Sequence, residues 1–270
     1  MIGKMAQDTL RTRNIFLVAL GAFLAPFVLF ILILQNFSLT TVYVNQASHT
    51  ILLASICAIA FYTAYFSYHQ DYLKDKDPQV LFTALAFCVF GLGFAAHAVS
   101  VFGSHFLTES VFDVTEHATL PLGAALLTLS IVSLPNLSGR IYKRRVVILL
   151  ITIALALCWL ATIVFAPIIT GRIAANIDTF TIIPTGILFA ILTLLFIEKF
   201  YEKPNTLFVY MVASLAVLIN TGIIPLFYQE WNVVWWYFHL VLLAGFGLIL
   251  IGLIRKGMPL GRAWQKGQKS

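Results

Sequence analysis

Apolar runs of about 20 residues recur along nearly the whole chain, and few charges interrupt them. A helix of that length crosses about 30 Å of hydrocarbon. In lipid it also pairs its own backbone N–H and C=O groups, which no irregular segment can do. With 60% hydrophobic residues, 10% charged residues and a mean hydropathy of +0.94, a soluble domain with a large core is excluded. The expected fold is all-α, a polytopic integral membrane bundle of eight helices. The spans fall at roughly 14–35, 47–68, 79–102, 117–136, 146–168, 179–199, 207–228 and 233–254. The first run follows a basic leader but lacks a small-residue cleavage pattern, so it reads as a retained helix and not a signal peptide. Residues 1–254 are expected to form one transmembrane domain, with 255–270 a short cytoplasmic tail. Gly257, Pro259 and Gly261 oppose a rigid helical extension there.

Orientation follows from Lys and Arg. Sixteen of them, from Lys4, Arg11 and Arg13 through Arg140, Lys143, Arg144 and Arg145 to Arg255 and Lys256 and beyond, fall in one set of loops. The opposite set holds Arg172 alone. Both termini are therefore expected in the cytoplasm, in a multi-pass protein of the bacterial inner membrane. The net charge of +6 is a topology signal of this kind and not a nucleic-acid footprint, because no soluble domain presents a basic face. The outer loops instead carry Glu109, Asp113, Glu116, Asp178 and Glu230. Cys57, Cys88 and Cys158 each sit within an apolar run and read as small packing residues, with no disulfide expected.

Five of the six histidines, His49, His97, His105, His117 and His239, map to that outer side, and only His69 to the other. Imidazole is costly in lipid and is the commonest metal ligand. His49 opens the second span, His117 opens the fourth, and His97 and His239 lie deeper, within apolar sequence. Antiparallel neighbours bring these four to one depth. His105 falls in a loop and reads as solvated. A lone interfacial histidine is ordinarily just an interfacial polar residue, which is the plain reading of His49 or His117 taken singly. As a set they point to a shared site.

That site could take several ligands. Two opposed imidazoles ligate haem iron, and the absence of a Cys-x-x-Cys-His motif makes any such group a non-covalent haem b. His49, His97, His117 and His239, with Glu116 or Asp113, could instead bind zinc or copper. Without a metal the cluster could sense protons. Haem is the expectation of choice. Gly91 and Gly93 thin the helix wall below His97, where either another helix or a flat ligand could approach, so Gly93 joins the candidate cofactor-binding residues. Arg172 is the available propionate partner. Trp231, Trp235 and Trp236 read first as an interfacial aromatic belt, and otherwise as a cap over a pocket that includes His239. Asn220-Thr221, well inside the seventh span, reads as interhelical hydrogen bonding. Walker-type loops, Gly-x-Ser-x-Gly and His-Glu-x-x-His are absent, so no enzyme is recognised.

Three segments carry a family resemblance. They are His49-Thr50 opening a span, His97 after Phe90-Gly91-Leu92-Gly93-Phe94, and Phe238-His239-Leu240 running through Gly245-Phe246 to Leu253-Ile254-Arg255. The chain resembles the third class of bacterial membrane-associated sensor domains, polytopic input modules of sensor kinases and diguanylate cyclases. It departs from them in having no Arg over 109–117 and no helical linker and output domain after the last span. The resemblance implies a sensory module whose last helix relays the state of its site. The lipid bilayer is its surroundings, and a cytoplasmic output domain, a partner kinase or cyclase, or a second copy in a homodimer are its partners. The rival readings are a b-type haem electron-transfer protein and a metal-dependent integral-membrane hydrolase. The topology is checked by reporter fusions at the C-terminus. A cytoplasmic reporter is expected to be active there, and activity confined to a periplasmic reporter refutes the assignment.

Overall fold

A computed structural model describes residues 2–103, 110–131, 177–202, 204–227 and 231–257. Seven principal helices carry these residues: α1 Ile2–Asn36, α2 Gln46–Phe66, α3 Pro78–Gly103, α4 Ser110–Leu129, α5 Ile177–Glu202, α6 Thr206–Leu218 and α7 Val233–Gly257. Among the described residues there is no strand, and the single bridge, Val42 to Asn232, joins two connections. Six helical stretches are long and apolar enough to cross a membrane: Asn14–Asn36, Gln46–His69, Pro78–Val99, Ile182–Glu202, Thr206–Phe227 and Val233–Lys256. They match the first, second, third, sixth, seventh and eighth expected spans within a few residues. The fifth, 146–168, lies outside the described residues.

Two spans differ from expectation. The fourth was expected over 117–136, but α4 starts at Ser110 and ends at Leu129. Its described apolar part, Thr119–Leu129, is shorter than a full crossing. At that end Ser130 N still donates to the Leu126 carbonyl at 3.1 Å, and its hydroxyl donates to the Leu127 carbonyl at 2.6 Å. The seventh span is α-helical only to Leu218, then continues as 3₁₀ turns over Ile219–Gly222 and Ile224–Phe227. Pro225 lacks the N–H that an α-helix would need there. Gly222 also lies against Gly186 of α5, so closely that a Cβ on either would meet the other's backbone.

Short polar residues set several helix starts. Asn45, Asp77 and Asn205 each accept a backbone N–H two or three residues on, at 2.9–3.0 Å. Pro78 then supplies a first-turn residue with its φ already helical. Between α2 and α3 the chain passes through a π-helical turn, Ser67–Tyr72, and leaves it at Lys76 in the left-handed region, φ 54°.

The helices pack in chain order, α2 on α3, α3 on α4, α4 on α5, α5 on α6 and α6 on α7, and the series closes where α7 meets α2. α1 packs on α6 and α7 from outside and leaves Phe16, Leu17, Leu20, Val28, Leu29 and Leu32 exposed, as a lipid-facing surface requires. Pro26 has no N–H to give to the Ala22 carbonyl one turn back. The ring ties α1 through two neighbouring carbonyls: Asn220 Nδ2 donates to the Phe23 carbonyl at 3.2 Å, and the Tyr237 hydroxyl to the Pro26 carbonyl at 2.6 Å. In the interior Phe87, Phe90 and Phe94 of α3 meet Phe246 of α7 edge to face, with centroids 5.4–6.0 Å apart.

The contacts of α3 with α4 and with α2 depend on missing side chains. A Cβ at Gly93 would overlap Thr119, one at Gly123 would overlap Phe90, and one at Gly91 would lie 2.8 Å from Phe61. Gly21 of α1 has nothing within 4 Å of such a Cβ. Gly93→Ala is therefore expected to destabilise the bundle by about 1–3 kcal/mol through overpacking. Gly21→Ala should be neutral or gain up to about 1 kcal/mol of helix propensity. Thermal unfolding of the two variants in detergent distinguishes them.

Candidate functional site

His49 sits in the first turn of α2, whose start is held by Asn45, and His239 in the second turn of α7. Asn232 fixes that second start. Its side-chain oxygen accepts from Trp235 N at 2.9 Å, and its amide donates to the Leu39 carbonyl at 3.1 Å. His97 comes from the far end of α3. All three side chains are buried, at 1%, 3% and 1% exposure for His49, His97 and His239.

The imidazoles meet. His49 Nε2 lies 3.2 Å from His239 Nε2, and the ring centroids are 4.8 Å apart. His97 stands edge-on to both, 5.0 Å from His49 and 6.1 Å from His239. His239 Nδ1 lies 2.9 Å from the Trp235 carbonyl, which can only accept. That contact assigns the proton to Nδ1 and leaves Nε2 as a lone pair directed at His49. Neutral His49 then donates from its own Nε2. A carbonyl, two imidazoles and two protons thus form one directed chain.

Tryptophans cover this chain. Trp235 lies 4.4 Å from His49 and 4.3 Å from His239 between centroids, while Trp231 and Trp236 stand 5.3 and 6.2 Å from His49. The cover is strapped to the α1–α2 connection. Tyr43 N donates to the Trp231 carbonyl at 2.9 Å, and Trp236 Nε1 donates to the Tyr43 carbonyl at 2.9 Å. Trp231 takes a left-handed φ of 65°, a conformation that costs a residue with a Cβ about 1–3 kcal/mol. The strap holds it in place.

Three of the expected histidines therefore lie together in one buried cluster. His117 lies on α4, but its side chain is outside the described residues, as are Arg172 and His105 altogether. Gly93 faces Thr119 of α4, so the space beside it is filled by a neighbouring helix. His69 is exposed and stacks on Tyr65 with centroids 5.3 Å apart. The tryptophans serve as a cap, over His49 as well as His239. Asn232 and the Tyr43 strap were missed. An Asn directly before an apolar run is a helix-start signal that could have identified the first, whereas no sequence pattern announces a contact across nearly 200 positions.

Axial ligands on opposite sides of one iron, at metal–nitrogen distances of about 2 Å, stand about 4 Å apart with a porphyrin between them. A 3.2 Å separation leaves no such slot, and the lone-pair nitrogen of His239 already faces His49. Haem b between these two rings would need them to part from their present hydrogen-bonded contact. Two imidazoles on one tetrahedral metal, at about 2.0–2.1 Å each, stand about 3.3 Å apart, close to the observed spacing. Among the described residues no group of three or more His, Cys, Asp or Glu side chains is arranged to hold a metal ion. The formed unit is thus a pair with His97 beside it. Comparison with protein family models, curated proteins and solved structures gives no match.

Loss of Asn232 removes both a helix cap and a buried tie to Leu39. Asn232→Ala is expected to cost about 2 kcal/mol and to increase solvent exposure of the tryptophan cap. Thermal unfolding and a red shift of tryptophan emission are the readouts.

Proposed function

We propose that this chain is a multi-pass sensory module of the bacterial inner membrane, with eight spans and both termini cytoplasmic. It takes up a transition-metal ion, zinc or copper, on His49 and His239 near the outer face, with His97 as the third ligand. The observation that carries this reading is the 3.2 Å spacing of the two Nε2 atoms in a buried, tryptophan-covered site. The Nδ1–H of His239 on the Trp235 carbonyl is the outer-shell contact that metal-ligating histidines ordinarily make.

The two ligand-bearing helices are the ones that close the ring, so occupancy acts on a structural seam. Drawing His97 toward the pair would shift α3 against α2 and α7. At the other end of the same seam Lys256, in the last turn of α7, pairs with Asp71 at 2.7 Å. The occupied and empty states would differ in how α2 and α7 pack, and a cytoplasmic output domain or partner kinase or cyclase would read that difference. A transmembrane electron relay is less favoured, because His69 is the only histidine at the inner end.

Metal analysis of the purified protein tests the proposal. About one equivalent of zinc or copper is expected, falling at least tenfold in His49→Ala and, separately, in His239→Ala. A Soret band after haem-replete expression, or metal content unchanged in both variants, overturns it.

A further inference from the structure

We propose that the cavity at the end of the ring opposite the histidines binds a free aliphatic α-amino acid of the size of valine or leucine. The cavity measures about 200 Å³. Every member of the ring contributes to its wall: Asp71 from the turn after α2, Val80 from α3, Ile131 after α4, Phe196 from α5, Phe208 from α6 and Lys256 from α7. It therefore lies on the axis of the ring and not on its lipid-facing circumference. The histidines take no part in it, so the inference stands whether or not they hold a metal.

Both signs of charge line its mouth. Asp71 and Asp77 present carboxylates, and Lys199 and Lys256 present ammonium groups. Lys256 Nζ donates to Asp71 at 2.7 Å, Lys199 Nζ donates to Glu202 at 2.7 Å, and Asp77 accepts from Gln79 N at 2.9 Å. An ammonium can donate several hydrogen bonds and a carboxylate can accept several, so these contacts leave capacity for a ligand. The Lys256 and Asp71 side chains are 35% and 21% exposed, and an ion pair so placed exchanges partners at little cost. A solute of one sign would be repelled by half of this wall. One that carries both an ammonium and a carboxylate meets a partner for each.

Deeper in, the wall turns apolar. Phe196 lies a turn further into α5 than Lys199, and Phe208 and Met211 lie successive turns into α6 from Asn205 at its start. Phe196 and Phe208 meet with centroids 6.0 Å apart, and Phe196 and Met211 are buried. This floor suits an alkyl side chain whose charged head stays at the mouth. An apolar cavity of about 150 Å³ holds one benzene, so about 200 Å³ holds about eight non-hydrogen atoms. Valine and leucine are of that size, and tryptophan exceeds it. A zwitterionic phospholipid head carries the same two charges, but its acyl chains find no room in a cavity ringed by helices.

The position has a consequence for the ring. Asp71 follows α2 and Lys256 ends α7, so their ion pair ties the seam where the ring closes. A ligand carboxylate on Lys256 together with a ligand ammonium on Asp71 adds a second bridge across that seam. Bound amino acid would therefore favour the closed ring and stabilise the fold by mass action.

The test is equilibrium dialysis of radiolabelled L-leucine against the full chain in nanodiscs of phosphatidylglycerol, a lipid without an ammonium group. Saturable binding at one site is expected, together with a raised thermal midpoint. Isoamylamine, which lacks the carboxylate, and 4-methylpentanoate, which lacks the ammonium, should each bind at least about tenfold more weakly. L-Tryptophan should not compete. Lys199→Gln, which leaves the seam tie intact, is expected to weaken leucine binding about tenfold. No saturable binding, an analogue that binds as tightly as leucine, or unchanged affinity in Lys199→Gln overturns the proposal, and competition by tryptophan overturns the aliphatic assignment. Loss of leucine binding when phosphatidylethanolamine is added to the nanodiscs assigns the site to a lipid head and overturns the free solute. Should Lys199→Gln not fold, the analogue series on the unsubstituted chain decides alone.

Discussion

An imidazole inside an apolar bundle cannot stand alone, and the architecture follows from how this one solves that problem. An unpaired polar group in hydrocarbon costs several kcal/mol. His49 and His239 answer each other across the seam where α7 meets α2. That seam joins the latest described helix in the chain to one of the earliest, and loop closure over so long a separation needs a specific contact to reward it. The pair supplies it, with the tryptophans adding area and the Asn232 and Tyr43 bonds setting the register. Elsewhere round the ring, packing of Gly and Phe against apolar surface is joined by single side-chain bonds, such as the Ser214 hydroxyl donating to the Gly245 carbonyl at 2.8 Å.

The same seam is tied at both ends. At the histidine end the tie is a directed hydrogen bond; at the other it is the Lys256–Asp71 ion pair beside the π-helical turn. That second end also holds a cavity of about 200 Å³ whose walls include Asp71, Asp77, Lys199, Asn205 and Lys256. Between the two lies the Phe87, Phe90, Phe94 and Phe246 stack, dense and apolar. Close-packed interiors do not deform continuously, so under the proposed function a shift at one tie would reach the other by rigid motion of α7 against α2.

How much of this was legible depends on which coordinate of a helix is in question. Depth along the membrane normal was readable: six stretches fall where the apolar runs place them, and His49, His97 and His239 lie together at one end. Azimuth was not. A helix that is apolar all round has no stripe to say which side faces lipid, so Gly93 suited a flat ligand as well as a neighbouring helix until Thr119 was seen to occupy the space. The tryptophans were ambiguous for the same reason, since an interfacial belt and a cap over imidazoles have the same composition and depth. Termination was partly legible. A proline inside a span, such as Pro225, is a general signal of a break, but the 3₁₀ turns also lie against Gly186, a residue of another helix.

Haem was the sequence expectation because the count of histidines and the apolar flanks are compatible with it, and count and flanks carry no distance. A ring-to-ring geometry does. The 3.2 Å between the two Nε2 atoms is the contact of a hydrogen-bonded imidazole pair. That spacing cannot be inferred from residues 190 positions apart in the chain. What decides it here is the first turn of two helices, each fixed by an asparagine: Asn45 sets where α2 begins and Asn232 where α7 begins. Moving either start by one residue would rotate its histidine by about 100° about the helix axis, and the imidazoles would no longer meet. The chemistry of the site is therefore held by two caps that are not themselves part of it.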